Sequence, residues 1–384
     1  MTAAQQQAVA APPAPLPDAI RHRFPIFRSL VYLNSCSHGA LSTDVRRAYD
    51  DYLDAWQRRG PEWDVWEGRM HDAREAFARL IGALPDEVAV TSSVSAAVSA
   101  LASALDFARR RKVVLSDVEF PTVGQIWHAQ ERRGALVVHA PPEALGRELD
   151  GRPLLLSVTH VGYSSGVKLD VPALVAAARA NGAYVLLDAY QSVGSVPLDV
   201  RRLDVDFLVA GTFKYLLGTP GVAFLYCRRD LVESLRPTTT GWFADEDVHA
   251  MDATDYSPAP TAARFQSGTP AVPSLYASAA GLSLVAEVGV DAIRRHVNRL
   301  NTRLLDGLDE LGASVVTPRE PERRGALVCV RARDADTLVE ALRGEGIVVS
   351  QRASNLRISP HAYNAVDDID ALLGALRTHR RLLA

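Results

Sequence analysis

From about residue 85 to 230 the chain alternates two hydrophobic rhythms. Short apolar runs rich in β-branched residues occupy Glu87–Thr91, Lys112–Ser116, Ala135–His139, Leu154–Val158, Tyr184–Leu187, Phe207–Ala210 and Val222–Tyr226. Between them lie stretches of helical length with one apolar face, such as Ser95–Arg109 and Val171–Asn181. A strand that is apolar on both faces belongs inside a sheet covered by helices on either side. The alternation therefore predicts an α/β fold with a large, doubly wound, mostly parallel sheet.

Beyond Pro270 the rhythm changes. A long helical pattern runs from about Ser274 to Leu311 with a break near Gly289. Strands are expected at Ser314–Thr317 and Ala326–Val330, a helix at Ala335–Arg343, strands at Ile347–Val349 and Leu356–Ile358, and a last helix at Val366–Thr378. That order predicts a small C-terminal α+β domain. The expected division is a disordered tail over 1–17, a large α/β domain over 18–270 and the small domain over 271–384. Ala, Gln and Pro dominate the tail, and it has no charged leader region.

Composition narrows the function classes. The 384 residues carry a formal net charge of −3 and no long basic run, which argues against nucleic acid as a partner. No apolar run approaches the ~20 residues that span a bilayer. Cys36, Cys227 and Cys329 stand at unrelated spacings, forming neither a disulfide framework nor a metal motif, so a cytoplasmic protein without a metal is expected. Only Lys112, Lys168 and Lys214 are lysines, which leaves three candidates for any chemistry that needs a primary amine.

Two strand ends carry such chemistry. Tyr184-Val-Leu-Leu-Asp188 closes an apolar strand on a carboxylate; about 25 residues later, Gly211-Thr212-Phe213-Lys214-Tyr215 follows the next strand and precedes a glycine-rich turn. Alone, the Asp reads as a turn former and the Lys as a solvated surface group. Together on one rim of a sheet they supply what pyridoxal 5′-phosphate (PLP) requires, an amine to carry the cofactor and an acid to keep its ring nitrogen protonated. Lys112 opens its strand and Lys168 lies in a turn, so neither suits this task. Thr91-Ser92-Ser93-Val94-Ser95 follows another strand and opens an Ala-rich helix, whose N-terminal amides and hydroxyls suit a phosphate.

The markers Asp188-Ala-Tyr-Gln191, Thr212-Phe-Lys214-Tyr, Arg264-Phe-Gln-Ser-Gly268-Thr269-Pro and Leu356-Arg357-Ile-Ser-Pro-His-Ala-Tyr-Asn364 resemble the class V, or cysteine desulfurase-like, branch of fold-type I PLP-dependent transferases. The likeness runs from about Phe24 to the C-terminus. It implies that Lys214 forms the Schiff base and moves the Cα proton, and that Asp188 pairs with the pyridinium nitrogen. It places Gln191 at the phenolic oxygen, Ser93, Val94, Ser95 and Thr212 at the phosphate, and Phe120 on the ring face. Thr269 would reach the phosphate of a neighbouring subunit, which implies a homodimer. Arg357 would grip the substrate α-carboxylate as a bidentate fork. The segment Tyr32-Leu-Asn34-Ser-Cys36-Ser-His38-Gly39 resembles the one lying over the active site, placing Asn34 beside the substrate and His38 as a second acid/base. Trp63 and Trp66 read as core or dimer packing, with pocket lining as the alternative.

Departures from the subgroups shape the functional expectation. Phe213 stands where desulfurases have His and kynureninases Tyr, and Val349–Arg357 is short and lacks a cysteine, while Cys329 reads as core. Gln191 replaces the His of kynureninases, and His160-Val-Gly-Tyr163 lacks a frequent Asn. The expected activity is cleavage of a C–S or related β bond in the side chain of an amino acid or derivative, with transamination and epimerisation as alternatives sharing the same residues. A non-catalytic PLP-binding regulator would require a basic helix-turn-helix module that this protein has no room for.

Overall fold

The computed structural model describes residues 16–384; the tail expected over 1–17 lies almost wholly outside them. The described part enters through a short strand, β1 (Val31–Tyr32), and two helices, α1 (Thr43–Arg59) and α2 (Trp63–Ile81), both packed on a later helix. The Ser42 hydroxyl caps α1 by accepting from the Val45 N–H, and Gly82 ends α2 in the left-handed conformation (φ 73°) that glycine adopts without strain.

Seven strands then build the main sheet: β2 (Val88–Thr91), β3 (Lys112–Ser116), β4 (Leu136–Ala140), β5 (Leu155–Thr159), β6 (Tyr184–Asp188), β7 (Phe207–Gly211) and β8 (Ala223–Cys227). Their order is β2-β8-β7-β6-β5-β3-β4, with every pair from β7 through β4 parallel and β8 antiparallel to both its neighbours. Because β8 reverses twice, the C-terminal end of β2 lies on the same rim as those of the parallel strands. The seven runs expected from hydrophobicity are these strands, shifted by at most one residue at either end. Strands β5, β7 and β8 are buried throughout, whereas edge strand β4 is exposed at Leu136 and His139.

Helices cover both faces: α3 (Val94–Ala104), α4 (Pro121–Ala129), the one-turn α5 (Leu145–Glu148), α6 (Val171–Ala180), and the one-turn α7 (Val200–Leu203) and α8 (Arg229–Val232). Two apolar cores result, one per face, centred on Leu187, Leu208 and Phe224 and on Val113, Leu186 and Phe207. Helix α3 stops at Ala104, five residues before the expected end. Leu105 is extended, and the Arg133 guanidinium takes up the carbonyls of Ala102, Ser103 and Leu105, closing the helix from outside its own sequence.

The long C-terminal pattern divides into α9 (Val272–Val288) and α10 (Val290–Glu310), bent by 76° at Gly289 (φ 81°). Leu275 and Leu282 of α9 belong to the core of the main sheet, although α9 follows the expected boundary at 270. The remaining elements are β9 (Val328–Arg331), α11 (Ala335–Gly344), β10 (Ile347–Val348), β11 (Ser350–Arg352), β12 (Asn355–Ile358) and α12 (Val366–Thr378). Strands β11-β12-β9 form an antiparallel sheet, and β10 pairs in parallel with β1. The strand expected at Ser314–Thr317 is reduced to a single bridge between Val315 and Val330. There the Thr317 hydroxyl accepts from the Cys329 N–H at 2.8 Å, taking the place of a main-chain acceptor. No single described helix is long and apolar enough to cross a membrane.

Candidate active site

The rim formed by the C-terminal ends of β2, β3, β5, β6 and β7 gathers residues that are far apart in the sequence. Open α/β sheets place ligands there because the strand ends and the helix N-termini that follow them converge. Lys214 follows β7 and is 8 % exposed, with Nζ 4.1 Å from the Tyr190 ring centroid and 5.7 Å from that of Phe120. Its amine makes no hydrogen bond or ion pair among the described residues. Burial lowers its pKa to about 8, with Asp188 opposing and Arg357 and Arg352 adding to the fall. A primary amine in this state is partly neutral near physiological pH and so nucleophilic.

Asp188 ends β6. One carboxylate oxygen accepts from the Tyr190 N–H at 2.8 Å. Burial pushes its carboxyl above the usual range, opposed by that N–H and by the Lys214 charge. A protonated ring nitrogen is the kind of partner that would keep it ionised. Gln191 is buried; its amide donates to the Cys36 carbonyl at 3.0 Å, and its Oε1 is buried without a partner. The second amide proton remains for an acceptor such as a phenolic oxygen. Phe120 is 42 % exposed and lies edge-on to Tyr163 at 5.2 Å, so it is open to a stacking partner rather than consumed by the core.

At the end of β2 the Ser93 hydroxyl caps α3 by accepting from the Ala96 N–H at 3.1 Å, and Ser92 and Ser95 are exposed beside it. The free amides of this first turn, with Val94 at its start, can hold a phosphate. Thr212 lies just past β7. Its side chain is fully buried, donates to the Thr219 carbonyl at 2.7 Å and accepts from Ser278 at 3.1 Å, so its only proton is spent inside the protein. Thr269 is exposed at the surface along a small cleft with Ser92 and Gly268.

The N-terminal segment lies across this rim. The Gly39 N–H donates to the Phe213 carbonyl at 2.7 Å, and a Cβ at Gly39 would sit 2.6 Å from the Lys214 carbonyl, so only glycine lets the two segments touch. His38 packs on Phe213 with ring centroids 5.4 Å apart, and its Nδ1 bonds the Gly39 carbonyl at 2.8 Å. That bond requires the proton on Nδ1 and leaves Nε2 without a hydrogen-bond partner among the described residues. Asn34 bridges to Ser359, and its carbonyl accepts from the amides of Ser37 and His38. It thus shapes the loop, and its side-chain oxygen lies 4.0 Å from the Cys36 thiol, which donates to it.

Arg357, on β12, is 3 % exposed. Its guanidinium donates to the Tyr163 carbonyl at 2.9 Å, to Ser37 Oγ at 2.7 Å and to Ser350 Oγ at 3.0 Å. All three acceptors are neutral, and no carboxylate pairs with it among the described residues. A buried cation with no counterion is costly unless a ligand supplies one, and a carboxylate fits the fork.

Sequence reading missed Glu119. It is 7 % exposed, precedes Phe120, and both its carboxylate oxygens are buried without a hydrogen-bond partner. Burial first, then the Asp188 charge, raises its pKa well above the usual range, which favours its neutral form. An acid beside an aromatic at a strand end was the only signal available. His160, also at this rim, bonds Ser192 Oγ at 2.9 Å through Nδ1, and burial lowers its pKa to about 3, holding it neutral. Trp63 packs edge-on against both Trp66 and Trp242, which uses these rings in packing. Cys329 is buried in β9.

The arrangement offers an unpaired amine, a carboxylate placed for a ring nitrogen, an open aromatic face and a helix N-terminus for phosphate. These residues fit PLP. The comparisons agree: residues 49–372 match the family model for class V aminotransferases. The uncharacterized aminotransferase YcbU of Bacillus subtilis is 36 % identical over 359 residues, 92 % of this protein and 95 % of that one. The kynureninase of Bacillus anthracis is 29 % identical over 375 residues, 88 % of this protein and 86 % of that one. Among solved structures, the apo cysteine desulfurase of Thermococcus onnurineus NA1 superposes with a TM-score of 0.87 at 22 % identity, covering 96 % of this protein and 99 % of the other. The cystine C-S lyase C-DES in complex with cysteine persulfide gives 0.85 at 24 %, covering 92 % and 99 %. At such identities the two structures speak for the fold.

Proposed function

This protein belongs to the class V aminotransferase family of PLP-dependent enzymes, and within it we propose that it cleaves a C–S or related β bond in the side chain of a free amino acid or amino-acid derivative. The observation that carries the amino-acid substrate is Arg357, a buried guanidinium with only neutral partners. It takes the α-carboxylate and thereby aims Cα–H at Lys214. Lys214, with its amine softened to a pKa of about 8 by burial, first holds the cofactor and then removes the Cα proton. PLP, when bound, supplies the electron sink for the pair left at Cα. Asp188 keeps the ring nitrogen protonated, Gln191 donates to the phenolic oxygen, and Phe120 covers the ring face. Ser93, Val94 and Ser95 hold the phosphate. Asn34 orders the loop that carries His38.

His38 favours cleavage at the β position. Its Nδ1 is locked on the Gly39 carbonyl and its Nε2 is free, on the segment bonded to the lysine loop. With a proton on Nε2 as well, the imidazolium there can pass that proton to a departing thiolate or other leaving group, a task that transamination does not impose. The resemblance to YcbU supports transamination as a second reading. The exposed Phe120 and Thr269 suit a homodimer in which Thr269 reaches the partner's phosphate, and a cytoplasmic setting suits three unpaired cysteines.

The test mixes holoenzyme with a panel of amino acids and S-substituted cysteines, following the cofactor spectrum and the products together. Release of pyruvate, ammonia and a thiol with return of the starting spectrum supports the proposal. Accumulation of the pyridoxamine form, reversed by a 2-oxo acid, establishes an aminotransferase instead.

A further inference from the structure

A second arginine stands beside Arg357. Strands β11 and β12 form a hairpin in which Ser350 faces Arg357 and Arg352 faces Asn355. Cross-strand partners share a face, so Ser350, Arg352, Asn355 and Arg357 all project from the same side. Gln351, on the opposite side, is bonded to Asp336. The shared side faces the site: Arg357 and Asn355 donate to the carbonyls of Tyr163 and Ser164 in one loop, and Ser350 Oγ meets both Arg357 and Ser37. Arg352 is a diagonal neighbour of Arg357, about 7–8 Å away in an antiparallel pair. It is exposed, its guanidinium donates to the Gln351 carbonyl at 2.8 Å, and it pairs with no carboxylate among the described residues.

The turn holding it is strained. Ala353 (φ 50°) and Ser354 (φ 61°) are both left-handed, where a two-residue hairpin turn ordinarily uses Asn-Gly. A tight connection kept in spite of two Cβ atoms fixes where the hairpin tip lies, and such strain gathers at functional sites.

We propose that Arg352 is a specificity-determining residue that receives a second, distal anionic group of the substrate. The preferred substrates are then amino acids whose side chain or β-substituent ends in a carboxylate or comparable anion, with the α-carboxylate on Arg357 and the distal anion on Arg352. This rests on the reading that Arg357 binds an α-carboxylate.

The experiment compares matched pairs on the holoenzyme: S-(2-carboxyethyl)-cysteine against S-propyl-cysteine, and glutamate against glutamine. Spectral titration gives binding, and product release gives kcat and KM. The anionic member should be favoured by roughly tenfold, the worth of one charge-assisted bond to an exposed arginine, and the difference should reside in KM. Arg352→Met should bring the ratio to about one, and Arg352→Lys should retain part of it. A wild-type enzyme that favours the neutral members, or a ratio unchanged in Arg352→Met, overturns the proposal while leaving the amino-acid reading intact. A holoenzyme whose spectrum responds to no amino acid at all removes both.

Discussion

Replacing Arg357 by leucine should separate function from stability. Arg357 is 3 % exposed and its guanidinium donates to one carbonyl and two hydroxyls, with no carboxylate among the described residues to balance its charge. A substrate carboxylate held by two charge-assisted bonds gains about 1.5–3 kcal/mol from each. Allowing for water and residual contacts in the variant, a net loss of ~2–4 kcal/mol is expected, or about 30- to 1000-fold in kcat/KM. The folded state behaves differently. Removing a buried cation that lacks a counterion relieves a desolvation cost, and Ser37 and Ser350 already bond each other at 3.1 Å. The melting temperature should therefore stay within about 3 °C of wild type or rise. Steady-state kinetics on an amino acid and on the corresponding amine lacking the carboxylate, beside scanning calorimetry, decide the matter. Only the carboxylate-bearing substrate should suffer. A fall in melting temperature beyond about 8 °C, or a kcat/KM within about threefold of wild type, would refute the reasoning.

Lys214→Ala should lose the visible band of lysine-bound PLP near ~410–430 nm after dialysis; persistence of the band would move the attachment to Lys112 or Lys168. Because a pKa of about 8 leaves the amine mostly protonated below that pH and neutral above it, apoenzyme should recombine with PLP about fivefold faster at pH 8 than at pH 7 and level off above about pH 9. A rate that is flat across this range would contradict a burial-lowered amine. Glu119 is expected to be neutral at about pH 7, so the infrared band of a protonated carboxyl should vanish in Glu119→Gln while PLP affinity stays within about threefold. His38→Gln should slow cleavage of a poor leaving group by about a hundredfold and that of a good one far less. Equal losses on both would assign His38 to packing alone.

The seven sheet strands, the helix break at Gly289 and the placement of Asp188 and Lys214 at neighbouring strand ends were legible in the sequence because each is local. A run apolar on both faces can only be buried, a glycine inside a helical pattern permits a bend, and a polar residue just past an apolar strand must lie on the rim. The strand order was not written in any local run, since it depends on which strands meet through long crossovers. Residues whose roles rest on partners far along the sequence were correspondingly misjudged or missed. That the Thr212 hydroxyl meets Thr219 and Ser278 was not readable from its neighbours in the sequence. Thr317 looked like strand until its side chain replaced a backbone acceptor for Cys329. Glu119 looked ordinary until the fold enclosed it beside Asp188. Arg357 was recognisable as an arginine in an apolar strand, but only the folded protein determines that Ser37, Tyr163 and Ser350 surround it without a countercharge. The same hairpin sets Arg352 next to it. Burial and electrostatic balance are sums over neighbours brought together by folding, so residue types and spacing nominate the chemistry, and the tertiary structure decides which groups are left free to perform it.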